Sequence, residues 1–363
     1  MDNQPAHTLT QAQSPAPVHA LSQAHAPSWE ASLRRTETAP IARNARALSA
    51  RKSAQASSEP LLRLNPSASL VFRSRRNVQF GLETFRTAVV TFPTHLCATR
   101  TVTFLNSTHD PLSREDTIAG LVKCGNQPGN ARALVEDLIA FRVLVPAHPP
   151  VEMAIVGTGA LATAVRELMP ADCINVRYSA PSETESRFLA RMPAGTPIIL
   201  VDSLIEAPSY STALRGKTDT IVQGYILDGR GYAGPTMVAG DGPCPLCLEL
   251  YRLDLDPQWR MLVSQSLVRK GARDPLLVSA TAAHIVALCL RTAGFHCVQP
   301  GVGNYFHDPV SPAIPGELVV VDPYALSLTH KVMKPHPHCP ECFERLNGTR
   351  PGLPAVPRQT FPA

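Results

Sequence analysis

Four cysteines in two matching pairs have the clearest chemistry in this sequence. Cys244 pairs with Cys247 and Cys339 with Cys342, each pair in the form Cys-Pro-x-Cys. Two-residue spacing lets both thiolates of a pair face one ion, and two pairs complete the tetrahedral sulfur shell that Zn²⁺ prefers. Because four thiolates leave no open position for water, we predict a structural zinc ion.

The 91 residues between Cys247 and Cys339 exceed the spacing of a zinc ribbon, so the site is expected to join the end of the central sheet to the end of the fold. Two redox pairs are the alternative, but such pairs open a helix in a thioredoxin-like unit, which is not evident in the sequence. His336 and His338 could replace a cysteine or donate a hydrogen bond to a ligand. The other cysteines are expected to pack as small hydrophobic side chains: Cys97, Cys124, Cys173, Cys289 and Cys297.

A glycine-rich turn and one aspartate form a second candidate site. Gly157 and Gly159 follow an apolar strand pattern and precede a helix, which allows a phosphate to approach the helix N-terminus. Such a turn can also serve only to pack a helix on a strand. Nucleotide binding further needs an acid about 20 residues on, and the first acid after Tyr178 is Glu183. Asp202 ends the next strand at the ligand-binding edge of an open α/β sheet, so it is a candidate for magnesium or substrate, or else a turn or helix cap.

The composition favours a globular protein. The chain has 363 residues, 44% of them hydrophobic, and a net charge of +5 that is not gathered into a basic run. Binding to nucleic acid or to a membrane surface is therefore not expected. We find neither a signal-peptide pattern nor an apolar stretch of about 18 residues or more, so the sequence predicts a cytoplasmic protein without membrane spans.

The N-terminal part of the chain divides in two. Residues 1–58 have few large apolar side chains and are expected to be a disordered tail, with Trp29 and residues 31–35 as a candidate short helix or docking peptide. Residues 59–147 show β-like runs and then two helices, which predicts a winged-helix-like domain. Such domains bind DNA or peptides, and the weak basicity here favours peptide binding or a purely structural use. The β-like runs are 61–64, 69–73, 78–80 and 87–92, and the helices open at Ser113, with Asp116 as a capping signal, and near Asn130.

Residues 151–346 alternate apolar strands with helices, which predicts an α/β, Rossmann-like, doubly wound sheet. The predicted strands are 151–156, 174–178, 197–201, 220–227, 235–239 and, as the last core strand, 317–321; two later helices are 257–269 and 275–293. Residues 347–363 are expected to be a Pro-rich tail.

The glycine turn, Asp202 and the two cysteine pairs together resemble the ThiF/MoeB/E1-like superfamily over residues 151–346. Its members use ATP to adenylate the C-terminus of a ubiquitin-like protein. The run from Gly242 to Trp259 is similar to the cyclodehydratase-like branch, which accompanies the modification of ribosomal peptides. The run Arg73–Gly81 resembles the start of the leader-peptide recognition module of that branch.

The sequence also departs from the active members of that superfamily. Ala160 replaces the second of two paired glycines, and Ile205 and Glu206 stand where an Asp-Asn pair would lie. Arg187 and Arg191 lack the surrounding pattern that grips a triphosphate, and the acid after the second strand is absent. Without this acid and these cations, the chain lacks most of the charges that stabilise the transition state of phosphoryl transfer. The resemblance thus implies a zinc-containing scaffold that binds a peptide or small protein, while ATP and Mg²⁺ are used by a separate modifying enzyme.

Two other functions stay open from the sequence. One is an active ubiquitin-like modifier-activating adenylyltransferase with the glycine turn and Asp202 at the ATP. The other is a DNA-binding regulator that uses Arg73, Arg75 and Arg76 of the winged-helix-like domain. The superfamily resemblance also implies a possible homodimer.

Overall fold

The computed structural model describes residues 60–82, 87–107, 110–180, 182–266, 274–295 and 313–346. The predicted tails 1–58, with Trp29, and 347–363 lie outside these ranges, as does Cys297.

Residues 60–150 form two small sheets and a group of helices. The elements are β1 (Leu62–Leu64), β2 (Leu70–Phe72), β3 (Asn77–Phe80), β4 (Ala88–Thr91), α1 (His95–Ser107), α2 (Arg114–Lys123), α3 (Pro128–Ala140) and β5 (Leu144–Pro146). Strands β2, β3 and β4 form an antiparallel sheet in that order, and β1 pairs with β5. The predicted β-like runs all appear as strands.

The sequence predicts two helices in this part, and the structure describes three. Helix α1 contains three threonines and one valine, which have low helix propensity, so its sequence gives a weak helical signal. Its stability comes from a buried face that includes Cys97, Thr101 and Leu105. The predicted cap of α2 is present, since the side chain of Ser113 accepts a hydrogen bond from the backbone N–H of Asp116 at 3.0 Å.

Residues 151–346 supply the larger sheet and the helices that cover it. The elements are β6 (Val151–Val156), α4 (Ala160–Leu168), β7 (Ile174–Arg177), α5 (Glu185–Arg191), β8 (Ile198–Val201), α6 (Ala207–Leu214), β9 (Ile221–Leu227), β10 (Arg230–Met237), α7 (Pro245–Leu255), α8 (Trp259–Ser266), α9 (Pro275–Thr292), β11 (Glu317–Asp322), β12 (Ser327–Val332) and α10 (Pro340–Leu346). Strand β10 begins at Arg230, five residues before the predicted start at 235. The predicted last core strand, β11, is followed by an exposed edge strand, β12, which the sequence analysis missed.

The seven strands of this sheet lie in the order β12-β11-β10-β9-β8-β6-β7. The pairs β7·β6, β6·β8 and β8·β9 are parallel, and the pairs from β9 to β12 are antiparallel. The α/β class predicted from the sequence is therefore confirmed, with a sheet that is parallel in one half and antiparallel in the other.

Helices cover both faces of the sheet. Successive side chains of a strand point to opposite faces, so β6 contributes to two cores. Met153 and Ile155 pack in the core that contains buried residues of α4 and α9. Ala154 and Val156 pack in the core that contains buried residues of α5 and α6 and all four paired cysteines. The cysteine cluster is thus part of the hydrophobic core on one face.

Helix α9 is an exception to the expectation that no stretch of the chain is long and apolar enough to span a membrane. Pro275–Thr292 has 18 residues and a mean hydropathy of 1.5, which meets the length and composition of a spanning helix. In the structure, however, buried residues such as Ile285 and Cys289 pack it against the sheet. A core helix explains the apolar composition.

Among the described residues, Arg63 and His148 contact the larger part of the chain from the smaller one. The guanidinium of Arg63 on β1 forms an ion pair with Asp172 and donates to the sulfur of Cys173 at 3.8 Å. The hydrogen bond from Arg63 lowers the pKa of Asp172. The ring of His148 meets the ring of Phe295 edge-on, with centroids 6.1 Å apart. The boundaries 59–147 and 151–346 stay predictions.

Candidate metal centre

The four cysteine sulfurs lie within 4.8 Å of one another. The Sγ–Sγ distances are 3.7 Å for Cys244 and Cys247, 3.5 Å for Cys244 and Cys339, and 3.3 Å for Cys247 and Cys342. A tetrahedral ion with Zn–S bonds of about 2.3 Å separates its sulfurs by roughly 3.8 Å, whereas a disulfide needs about 2.05 Å. The spacing therefore fits ligands around one ion and does not fit two disulfides.

Each cysteine pair lies at the start of a helix. Cys244 is the N-cap of α7 and Cys247 lies in its first turn, while Cys339 directly precedes α10 and Cys342 lies in that helix. Proline follows the first cysteine of each pair, at a position where a helix does not need the missing N–H. Redox pairs also lie at helix starts, and the sequence showed no such start here. Because the structure does place both pairs at helix starts, this argument against redox pairs no longer holds. A better argument against two redox pairs is that the pairs, although far apart in sequence, bring all four sulfurs to one point.

All four thiols are buried, with at most 5% exposure. Hydrogen bonding to Cys244 and to the other two thiols, together with burial, raises the pKa of Cys247. Hydrogen bonds from Cys244, Cys247 and Cys339 lower the pKa of Cys342. Buried thiolates repel one another unless a cation lies between them, so a divalent ion is the group that would let all four ionise. The donor set thus fits a soft divalent metal such as zinc.

His336 supports the cluster through its backbone. Its N–H donates to the sulfur of Cys247 at 3.3 Å, and its carbonyl accepts from the N–H of Cys339 at 3.0 Å. Its ring nitrogens are both engaged elsewhere, Nε2 with Asp254 at 2.8 Å and Nδ1 with the N–H of His338 at 3.2 Å. The ring therefore does not act as a ligand in this arrangement, and the hydrogen-bonding alternative describes His336 better.

Two side chains that the sequence analysis did not single out also contact the sulfurs. Arg345 donates to Cys342 at 3.2 Å and to the carbonyl of Gly242 at 2.7 Å, which places a cation beside the thiolates. Ser211 of α6 contacts the sulfur of Cys244 at 3.9 Å and accepts from the N–H of Leu246 at 2.8 Å. Hydrogen bonds of this kind orient metal ligands and stabilise their charge.

The glycine turn is shaped by close packing. Gly157 has φ +125°, and a Cβ at this position would lie 2.2 Å from the carbonyl oxygen of Val201 on β8. Gly159 has φ +98° and no atom within 4 Å of its Cβ position. Only glycine adopts these conformations without strain, and at Gly157 it also makes room for the neighbouring strand.

Asp202 lies where β8 ends, as the sequence predicts, and has φ +53°. Its N–H donates to the carbonyl of Gly224 at 2.8 Å, and its carboxylate accepts from the N–H of Ile226 at 3.3 Å. These contacts give the carboxylate a role in closing the turn beside β9.

No protein-family model matches the chain, and no curated protein matches it. Among solved structures, a chain of the E. coli microcin synthetase McbBCD complex with pro-MccB17 bound matches with a TM-score of 0.50 and 15% identity, over 78% of this chain and 100% of that one. A heterocyclase in complex with substrate and cofactor matches with a TM-score of 0.48, 17% identity and 78% coverage, and the heterocyclase TruD with 0.47, 15% and 84%.

This chain spans 40% and 46% of the lengths of those two heterocyclases. At 15% identity, the match to the microcin synthetase chain is a likeness of fold. The chain therefore shares its fold with a chain of a microcin synthetase complex.

Proposed function

We propose that the protein is a ThiF-type, E1-like scaffold that binds a peptide or small protein and presents it to a separate modifying enzyme. In this proposal the larger sheet is Rossmann-like and residues 59–147 form the winged-helix-like recognition domain. The microcin synthetase chain, whose complex holds pro-MccB17, supports a role of this kind. The observation that carries the proposal is the three-stranded sheet, which offers edges for a peptide strand.

Strands β2 and β4 are the two edges of that sheet among the described residues. Arg73 donates its N–H to Asn77 and Gly81 donates to Ser69, so odd-numbered residues of β2 bond to β3. Because an antiparallel ladder alternates, the backbone of Leu70 and Phe72 faces away from β3.

The same alternation applies on the other edge. Phe92 donates its N–H to Arg76, so the backbone of Val89 and Thr91 faces away from β3. A peptide can add a strand at either edge, with backbone hydrogen bonds supplying affinity and side chains supplying selectivity.

The exposed side chains indicate what kind of peptide fits. Phe72 is 45% exposed and Val89 is 44% exposed, so both edges offer apolar contacts. Arg73, Arg75 and Arg76 are exposed in the hairpin between β2 and β3. An amphipathic peptide with acidic residues would complement this surface.

Proline substitution on each edge tests the proposal. Phe72→Pro and Val89→Pro remove one outward N–H each and leave the bonds to β3, and proline is tolerated at such edge positions. We expect one of them to weaken binding of an amphipathic peptide with acidic residues by about tenfold, because its backbone bond and neighbouring contacts are lost. Phe72→Ala and Val89→Ala, which keep the N–H, separate the side-chain contribution. Unchanged affinity in both proline variants, measured by fluorescence polarisation, would contradict strand addition.

A further part of the proposal is that this chain does not use ATP. The packing of Gly157 against Val201 and the turn contacts of Asp202 account for these residues without a nucleotide. We expect isothermal titration with ATP·Mg²⁺ to show no micromolar binding. Micromolar binding that Asp202→Ala abolishes would support the adenylyltransferase instead.

We also propose zinc as the ion of the four-cysteine cluster, since the spacing and burial of the thiols suit a closed structural site. Metal analysis of the purified protein should find one zinc ion per chain.

A further inference from the structure

A small cleft lies beside helix α7, at the carboxyl end of strand β8 and next to the middle of its parallel neighbour β9. Leu200, Leu204, Leu248 and Trp259 form its apolar walls. The carboxyl ends of parallel strands are where open α/β sheets bind ligands. The cleft is separate from the cysteine cluster, although α7 contributes to both.

Three buried polar atoms at this cleft have no hydrogen-bond partner among the described residues. They are Nε2 of Gln223, Oε2 of Glu249 and Nη1 of Arg252, and all three residues line the cleft. Gln223 is 5% exposed and Glu249 is 3% exposed. Buried polar groups are nearly always paired, so three unpaired ones around one cleft indicate a polar ligand.

The rest of each charged side chain is held in place. Arg260 donates to the other oxygen of Glu249, Oε1, at 2.5 Å. The guanidinium of Arg252 lies between the rings of Tyr225 and Trp259, 4.8 Å and 4.4 Å from their centroids. The three unpaired atoms therefore belong to side chains that are already oriented, which lowers the entropy cost of binding.

The donor and acceptor pattern selects one chemical class. Gln223 and Arg252 each offer a donor, and Glu249 offers an acceptor. We propose that the cleft binds a neutral amide group, from a peptide main chain, an Asn or Gln side chain, or a small carboxamide. The amide oxygen would accept from Gln223 and Arg252, and its N–H would donate to Glu249. A carboxylate would face the acid of Glu249, and an ammonium group would face Arg252.

Small probes test the inference on the full chain. Acetamide and acetate have almost the same shape, and their binding can be followed by the fluorescence of Trp259 and by saturation-transfer NMR. We expect acetamide to bind at least tenfold more tightly than acetate. Gln223→Leu should weaken acetamide binding at least tenfold, whereas Gln258→Leu, at an exposed position outside the cleft lining, should leave it unchanged.

Glu249→Gln gives a second, independent arm in case Gln223→Leu fails to fold. Because the Arg260 donor keeps the amide oxygen at the Oε1 position, the new NH₂ group points into the cleft. The preference should then shift at least tenfold toward acetate.

The inference is overturned if acetamide does not bind, because the three atoms then serve only a structural water. It is also overturned if acetate binds as well as acetamide, or if neither cleft variant alters binding. The proline variants on β2 and β4 measure peptide docking separately, so failure of the amide site is distinguishable from failure of the proposed scaffold function.

Discussion

Gly157 and Gly159 are two residues apart and both have positive φ, yet their surroundings differ. Val201 lies against the Cβ position of Gly157, while the Cβ position of Gly159 is open. Left-handed backbone strain therefore applies to both residues, and a steric clash applies to one.

The two alanine substitutions form a matched pair. Gly157→Ala should lower the free energy of unfolding by about 2–5 kcal/mol, since strain and a clash with backbone add. Gly159→Ala should cost about 1–2 kcal/mol from strain alone. Urea unfolding measures both values. Equal losses would show that the contact between Gly157 and β8 is not a tight one.

The cysteines could be predicted as ligands from their spacing, but their supporting residues could not. Ser211 contacts Cys244 from a separate helix, α6, and nothing in its local sequence marks that contact. Arg345 lies one turn after Cys342 on α10, and its contact becomes meaningful only once the cluster is known. The amide-binding cleft has one weak signal, because Gln223 is a polar residue within the otherwise apolar strand β9. A side chain of that kind becomes informative only when its neighbours in space are known.

At the scale of elements, helices α7 and α10 position the thiols. Each helix start brings both sulfurs of its pair to one side, so each pair is set by local geometry while the meeting of the pairs depends on tertiary packing. Arg215, which follows α6, donates to Glu341 at 2.7 Å and to Glu344 at 2.9 Å and so helps to hold α10.

Removing one thiol from α10 tests this arrangement. Cys342→Ser should lose the metal and about 4 kcal/mol or more of unfolding free energy, because loss of a metal site is among the largest point-mutation effects. Cys124→Ser is the control, since Cys124 is buried but lies outside the cluster. Its zinc content, measured by mass spectrometry, should stay at one per chain. Full zinc content in Cys342→Ser would rule out four-thiolate ligation.

Most strands were predictable because buried parallel strands leave continuous apolar runs. Helix α1 and strand β12 were missed because their local sequences do not resemble a helix and a strand. Helix α1 has weak helix formers on a buried face, and β12 is an exposed edge whose polar residues resemble a loop. In both cases tertiary contacts decide the structure, and these are not visible in local sequence.

At the scale of the whole molecule, the cluster joins segments that are far apart in the chain. Cys247 and Cys339 are separated by 91 residues, which include α8, α9, β11 and β12. Removing the ion should therefore release α10 before it affects the central strands, because β6 and β8 are buried within the sheet.

Hydrogen exchange with and without a zinc chelator measures this difference. We expect residues of α10 and the first turn of α7 to lose protection, and the backbone of β6 and β8 to keep it. The melting temperature should fall at the same time. Uniform loss of protection across the sheet would show that the ion supports the whole fold, and no change would show that the cluster is not metal-bound.

The order of the chain has a consequence for biosynthesis. At about 5–20 residues per second, roughly 5–20 s pass between the synthesis of Cys247 and that of Cys339. During that interval the nascent chain carries only half of a binding site. In the proposed zinc site, the ion would complete the cluster only after β11 and β12 have been made. Metal supply would then act on the last stage of maturation, and a metal-starved cell would accumulate chains with a formed parallel sheet and an undocked terminal helix.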